Sequence, residues 1–159
     1  MNNLILVRHG QSHWNKERRF TGWADIDLTE QGKSEAELAG KLIKEVNSKF
    51  DAYFTSVQKR AIHTIEIILD ILNKKNSEIK KAWELNERHY GALTGLNKDE
   101  MMKKHGERQV HIWRSSFDVA PPPMEKTNPN HPSKNKAYIN IPTSKIPSCE
   151  SLKNTFERV

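Results

Sequence analysis

Leu4-Ile5-Leu6-Val7-Arg8-His9-Gly10-Gln11-Ser12 decides how the rest of the chain is read. Four apolar residues in succession suit a strand buried on both faces. The run stops at Arg-His-Gly, which puts a cation and an imidazole at the strand's C-terminal tip, and Gly10 lets the backbone approach a ligand closely. This is one way an α/β protein presents phosphate chemistry. A strand followed by a solvated turn is the plainer reading of so short a motif.

Outward from this segment, the apolar spacing alternates between helix and strand. Thr29 suits a helix N-cap, and Ala36, Ala39, Leu42, Ile43 and Val46 follow at the spacing of one helical face. Phe50 to Thr55 reads as a strand, Ala61, Thr64, Ile65, Ile68, Leu69 and Leu72 as a second amphipathic helix, and Ile79 to Leu85 as the next strand. Strands alternating with helices predict an α/β fold with a mostly parallel sheet, right-handed crossovers and a ligand site beyond the strand C-termini. His9, Arg60 and Glu87 each fall at such an end.

A chain of 159 residues is long enough for one domain and short for two, so a single domain over 1–159 is expected. All seven glycines precede residue 107 and all seven prolines lie between Pro121 and Pro147. The segment 118–148, rich in Pro, Asn, Lys and Ser with few apolar anchors, is expected to be an irregular loop, either a lid or a surface insertion. The net charge of +6 suits an anionic substrate and would equally suit nucleic acid. Lys41, Lys44, Lys74, Lys75, Lys80 and Lys81 are scattered over predicted surfaces with no nucleic-acid motif beside them, so no nucleic-acid partner is expected. One cysteine, Cys149, excludes an internal disulfide and suits a reducing compartment. With no apolar run of about 18 residues and no signal-peptide pattern, neither a membrane partner nor secretion is expected, which reads as cytoplasmic.

Phosphoryl transfer asks for a nucleophile, a proton carrier and cations that hold the oxygens. His9 when neutral can attack phosphorus, provided its other ring nitrogen is held by an acceptor that the sequence does not identify. Arg8 and Arg60 are the leading oxygen clamps, since guanidinium matches phosphate geometry and stays charged, and Ser12 and Asn15 can add neutral donors. Arg60 otherwise reads as a solvated charge at a helix start. Glu87, beside Arg88, can carry a proton. His13, His63, His89, His105, His111 and His131 show no metal-site spacing, and no metal is expected.

Arg8-His9-Gly10-Gln11-Ser12-His13-Trp14-Asn15, then Arg19-Phe20-Thr21-Gly22-Trp23-Ala24-Asp25-Ile26-Asp27-Leu28-Thr29, and further on Leu85-Asn86-Glu87-Arg88-His89-Tyr90-Gly91-Ala92-Leu93-Thr94-Gly95-Leu96-Asn97-Lys98, closely resemble the cofactor-dependent phosphoglycerate mutases of the histidine phosphatase superfamily. The resemblance runs from about residue 4 to 123 and resumes at Cys149-Glu150-Ser151-Leu152. It implies a three-layer α/β fold and the interconversion of 3-phosphoglycerate and 2-phosphoglycerate through a phosphohistidine at His9. The primer would be 2,3-bisphosphoglycerate, and Glu87 would exchange the proton of the substrate hydroxyl. By the same matching, Arg8, Gly10, Gln11, Ser12, Asn15, Thr21, Gly22, Arg60, Arg88, Tyr90, Lys98 and Arg114 would contact phosphate and carboxylate, and 118–148 would cover the site. A homo-oligomer is left open.

Two departures from the family follow from the sequence. Ser115 follows Arg114 where paired arginines are common, which removes a cation. The family also continues past Glu-Ser-Leu to further strands and a second His-Gly, which this sequence does not contain. The resemblance therefore implies a fold lacking its C-terminal strands and an impaired mutase, because losing preorganised charge stabilisation costs on the order of a hundredfold in rate. A phosphomonoesterase of the same superfamily, or an inactive phosphate-binding remnant, are the alternatives.

Overall fold

The computed structural model describes residues 4–46 and 49–159. In chain order its helices and strands are α1 (His13–Lys16), α2 (Glu30–Glu45), β1 (Tyr53–Thr55), α3 (Lys59–Ile71), β2 (Ile79–Lys81), α4 (Lys98–His105), α5 (Glu107–Ser115) and α6 (Leu152–Arg158). They fall into two compact units, one of residues 4–13 and 25–83, the other of 14–24 and 84–159.

The first unit is built on a β–α–β element. β1 and β2 pair in parallel, with Tyr53 opposite Ile79, Phe54 opposite Lys80 and Thr55 opposite Lys81, and α3 connects them. Both strands are shorter than the expected Phe50–Thr55 and Ile79–Leu85. The last bond runs from the Ala82 N–H to the Thr55 carbonyl at 2.9 Å, after which Trp83–Leu85 closes into a 3₁₀ turn. Beyond Thr55 the chain turns into α3, so a longer β2 has no ladder to join.

The strand expected at Leu4–Val7 does not form. Among the described residues no strand pairs with it, and Leu4 and Leu6 remain 81% and 85% exposed. Apolar composition makes a strand only where a neighbour accepts its backbone hydrogen bonds.

α2 begins where the sequence placed it. The Thr29 side chain accepts from the Gly32 N–H at 3.1 Å, satisfying one of the helix's unpaired donors. Its packing face differs from the expected one: Ala36 is buried, but Leu42 and Val46 are exposed. The closest contacts come from a row of small residues at four-residue spacing, Gly32, Ala36 and Gly40. Gly32 lies directly on the backbone of Gly10 and Gln11, and a Cβ on Gly40 would stand 3.0 Å from that of Ile71 in α3. Backbone approach, rather than large apolar side chains, joins α2 to the segment carrying His9.

The second unit has its core in Phe20, Leu93, Met101 and Val110, with Tyr90, Met102 and Trp113 packed against it. Asn97 caps α4 by accepting from the N–H groups of Asp99 and Glu100, and Gly106, at φ +81°, turns the chain into α5. The 118–148 segment holds the 3₁₀ turns Pro132–Lys134, Lys136–Tyr138 and Thr143–Lys145 and no longer helix or strand. It is better anchored than its composition implies. Met124, His131, Pro132 and Tyr138 are buried, and the Tyr138 ring lies 4.9 Å from that of Trp23. Its ends are tied by Met124 N–H to the Ser148 carbonyl and Ala92 N–H to the Pro122 carbonyl, both at 2.8 Å. His131 and Asn135 cap their own turns, so the segment satisfies its backbone locally without any apolar periodicity. α6 opens with a reciprocal Ser151–Asn154 capping box.

Candidate functional site

In the first unit the chemistry centres on His9. Its Nδ1 lies 2.7 Å from the Gly10 carbonyl oxygen, and a carbonyl can only accept. The proton therefore sits on Nδ1, and Nε2 keeps a lone pair, toward which Arg60 Nε–H points at 3.2 Å. Burial, reinforced by the neighbouring Arg60 and Arg8 cations, lowers the His9 pKa to about 4 against the opposing pull of the Gly10 bond. At neutral pH this imidazole is uncharged, with Nε2 unprotonated and accepting from Arg60. The acceptor missing from the sequence is a main-chain carbonyl.

Arg60 is fully buried at the start of α3, which overturns its reading as a solvated charge. Thr64, one turn on, donates its hydroxyl to the Arg60 carbonyl at 2.7 Å and accepts from the Gly10 N–H at 3.2 Å. The periodicity made Thr64 only part of a packing face; its hydroxyl joins the helix to the His9 segment. Gln11 is tied to the start of α2: its carbonyl accepts from Thr29 N–H at 2.9 Å, its side-chain oxygen from the Thr29 hydroxyl at 2.9 Å, and its N–H donates to Glu35 at 2.8 Å. Ser12 is buried and its backbone bridges to Leu28, while Arg8 is exposed.

In the second unit a further set of the expected contacts shares one framework. Arg88 is buried, donates from Nη2 to the Arg114 carbonyl, and lies 5.0 Å from the centre of the Tyr90 ring. Tyr90 packs on Phe20 at 5.2 Å, and Lys98 Nζ stands 5.8 Å from the Phe20 ring. Gly22 takes φ +53°, where a Cβ would stand 3.1 Å from the Tyr90 nitrogen, so only glycine lets Thr21 and Gly22 lie this close to Arg88–Tyr90. Glu87 is half-buried, and its carbonyl accepts from Trp23 Nε1 at 2.8 Å. Asn15 lies on α1, its carbonyl accepting from Arg18 N–H at 3.1 Å.

Among the described residues five buried side-chain atoms lack partners, all in this unit: Arg88 Nε, Arg88 Nη1, the hydroxyls of Thr21 and Thr94, and His89 Nε2. A buried cation with unmade hydrogen bonds is costly, and a ligand rich in anionic oxygens removes that cost. The donors fit a phosphate or carboxylate. Among the described residues no group of three or more His, Cys, Asp or Glu side chains is placed to hold a metal ion.

Sequence reasoning gave no role to three residues that hold this framework: Trp23, Glu150 and Arg158. Trp23 and Glu150 stand inside motifs that carry the resemblance, and Arg158 stands in none.

Comparison with known proteins gives the chain a family. The family model described as histidine phosphatase superfamily (branch 1) matches residues 4–131. The chain is 55% identical over 159 residues to the 2,3-bisphosphoglycerate-dependent phosphoglycerate mutase of Pelagibacter ubique (strain HTCC1062), and 54% identical over 158 residues to that of Hydrogenobaculum sp. (strain Y04AAS1). All of this chain matches the first and 99% the second, yet it spans only 66% and 64% of those relatives' lengths. Among solved structures, Bacillus stearothermophilus YhfR is similar at a TM-score of 0.60 with 34% identity, covering 72% of this chain and 54% of that one. TTHB049 from Thermus thermophilus superposes at 0.59 with 24% identity over 95% of this chain and 65% of its own, a likeness of fold alone. By that family match over residues 4–131, this chain belongs to the histidine phosphatase superfamily, branch 1.

Proposed function

We propose that this chain interconverts 3-phosphoglycerate and 2-phosphoglycerate by passing a phosphoryl group through His9. The observation that carries the reading is the protonation state of His9: Nδ1–H donates to Gly10 and Nε2 remains a lone-pair nucleophile. A neutral imidazole attacks phosphorus in line, the P–O bond to the departing hydroxyl breaks, and a P–N bond forms at Nε2. Arg60 and Arg8 offset the charge on the transferred oxygens. Glu87 returns a proton to the departing alkoxide and removes one from the hydroxyl that next receives the phosphoryl group. Arg88, Tyr90, Lys98, Arg114, Thr21, Gly22, Asn15, Ser12, Gln11 and Gly10 supply the remaining donors to phosphate and carboxylate. The primer 2,3-bisphosphoglycerate, on which the named relatives depend, supplies the first phosphoryl group. The unpaired donors of Arg88 and Thr21 suit such a polyanion.

The test is incubation with primer carrying labelled phosphate. An acid-labile label on His9, absent in His9→Gln and chased out by 3-phosphoglycerate, is the expected result. Label that leaves only as inorganic phosphate assigns the chain to the phosphomonoesterases of the superfamily instead. No label on His9 sinks both.

A further inference from the structure

The stretch Glu84–His89 carries Glu87 and Arg88, and its backbone is held mainly by side chains. Arg158 donates from Nη1 to the Glu84 carbonyl at 2.6 Å and from Nη2 to the Asn86 carbonyl at 3.2 Å. Trp23 Nε1 holds the Glu87 carbonyl at 2.8 Å. The Glu150 carboxylate accepts from the His89 N–H at 2.8 Å, while the Glu150 N–H donates to the His89 carbonyl at 2.9 Å. The two charged holders are locked together, Arg158 Nε to Oε1 at 2.6 Å and Nη2 to Oε2 at 2.9 Å, with side chains 7% and 3% exposed. The guanidinium also stands 5.5 Å from the centre of the Trp23 ring.

Taking two charges out of water is unfavourable, and apolar side chains of the same volume would pack α6 as well or better. What the pair supplies and a leucine cannot is hydrogen bonding aimed at three backbone groups of one short stretch. A bidentate Arg–carboxylate contact is also directionally stiff, so the groups it holds are fixed in angle as well as distance.

We propose that Glu150 and Arg158 form a positioning pair that fixes the Glu87 carboxyl and the Arg88 guanidinium for their roles in phosphoryl transfer, an inference that rests on the mutase reading above. Both oxygens of Glu150 and all three guanidinium nitrogens of Arg158 are used within the pair and the loop, so the pair acts through the loop.

The experiment compares the 159-residue wild type with Arg158→Lys and Glu150→Gln, using Lys153→Ala on the exposed side of α6 as the control. Hydrogen exchange at the His89 amide is expected to rise at least tenfold in both variants, with the α4 amides and Lys153→Ala unchanged. Mutase kcat should fall tenfold or more with KM altered less than threefold, and the acid limb of the pH profile should move. A lesion that merely lowers the folded fraction scales the amplitude and leaves the limb in place. Should wild type transfer no phosphoryl group to His9, the mutase reading fails by itself. The pair is then judged by His89 exchange together with inorganic phosphate affinity, expected to drop at least fivefold in Arg158→Lys and in Arg88→Gln. Wild-type exchange in both conservative variants overturns the proposal. So does loss of cooperative melting in both, because the pair would then hold the whole unit and not one loop.

Discussion

A histidine that is to attack phosphorus must arrive without a second proton, and His9 does so because desolvation outweighs the Gly10 bond that favours the cation. Its titration by NMR is expected near pH 4, so His9 contributes no acid limb between pH 5 and 8. Arg60→Met removes the second-ranked lowering influence and leaves the first, so the midpoint should rise yet stay below the ordinary 6.5. A midpoint unchanged or above 6.5 contradicts this ranking. His89 makes a separate, stability-linked prediction. Its Nδ1 accepts from the Gly91 N–H at 2.9 Å, and burial, then His131 and Arg158, lower its pKa to about 4. The folded state thus stays neutral while the unfolded state protonates below 6.5. Stability is complete above pH 6.5 and lost as pH falls toward 4, by about 3 kcal/mol from a shift of this size. In urea melts, His89→Asn, whose Oδ1 can replace Nδ1 as acceptor, should flatten the pH slope between 6.5 and 4.5; an unchanged slope refutes the assignment. His9 stood out as a candidate nucleophile in Arg-His-Gly. Its acceptor did not, since any residue brings a carbonyl.

At the scale of elements, the N-cap of α2 was legible because capping is local chemistry, but its packing face was not. Leu42 and Val46 carry the helical period yet lie exposed, while Gly32 and Gly40 make the close contacts, and a glycine adds nothing to an apolar pattern. Thr29 holds both the helix start and Gln11, so Thr29→Ala should cost about 1 kcal/mol from the cap alone and slow His9 labelling, whereas Thr29→Ser should keep most of both. Equal labelling rates for the two variants would show that the cap does not support the nucleophile's segment. Leu4–Val7 gives the opposite case, a sequence with strand character and no ladder. Because Leu4 is 81% exposed, Leu4→Ser should change the chemical-denaturation midpoint by less than about 0.5 kcal/mol in equivalent stability. A buried strand would lose about 2–5 kcal/mol on such a truncation. A loss of that size would show Leu4 packed in solution.

For the molecule as a whole, the β–α–β order was legible because each piece follows from local periodicity, while strand lengths depend on partners that no window of sequence contains. The second unit was the harder to read. Its irregular 118–148 segment is anchored by single side chains such as Met124 and Tyr138, and its site loop is held by Trp23, Glu150 and Arg158 from distant positions. Charge, by contrast, was read correctly from composition: Lys41, Lys44, Lys74, Lys75, Lys80 and Lys81 are all exposed. Solvated lysines contribute little to stability, but they are part of the chain's net charge of +6, which acts at a distance on an anion. The screening length falls from about 30 Å at 0.01 M salt to about 8 Å at 0.15 M, so distant lysines stop contributing while the arginines proposed to touch the ligand would still do so. The association rate of 2,3-bisphosphoglycerate, followed by stopped-flow, should therefore drop by roughly an order of magnitude over that range, with the dissociation rate changing much less. Replacing Lys74 and Lys75 by Gln should reduce the salt dependence without altering the high-salt rate. An association rate indifferent to salt would mean that the surface charge is irrelevant to capture.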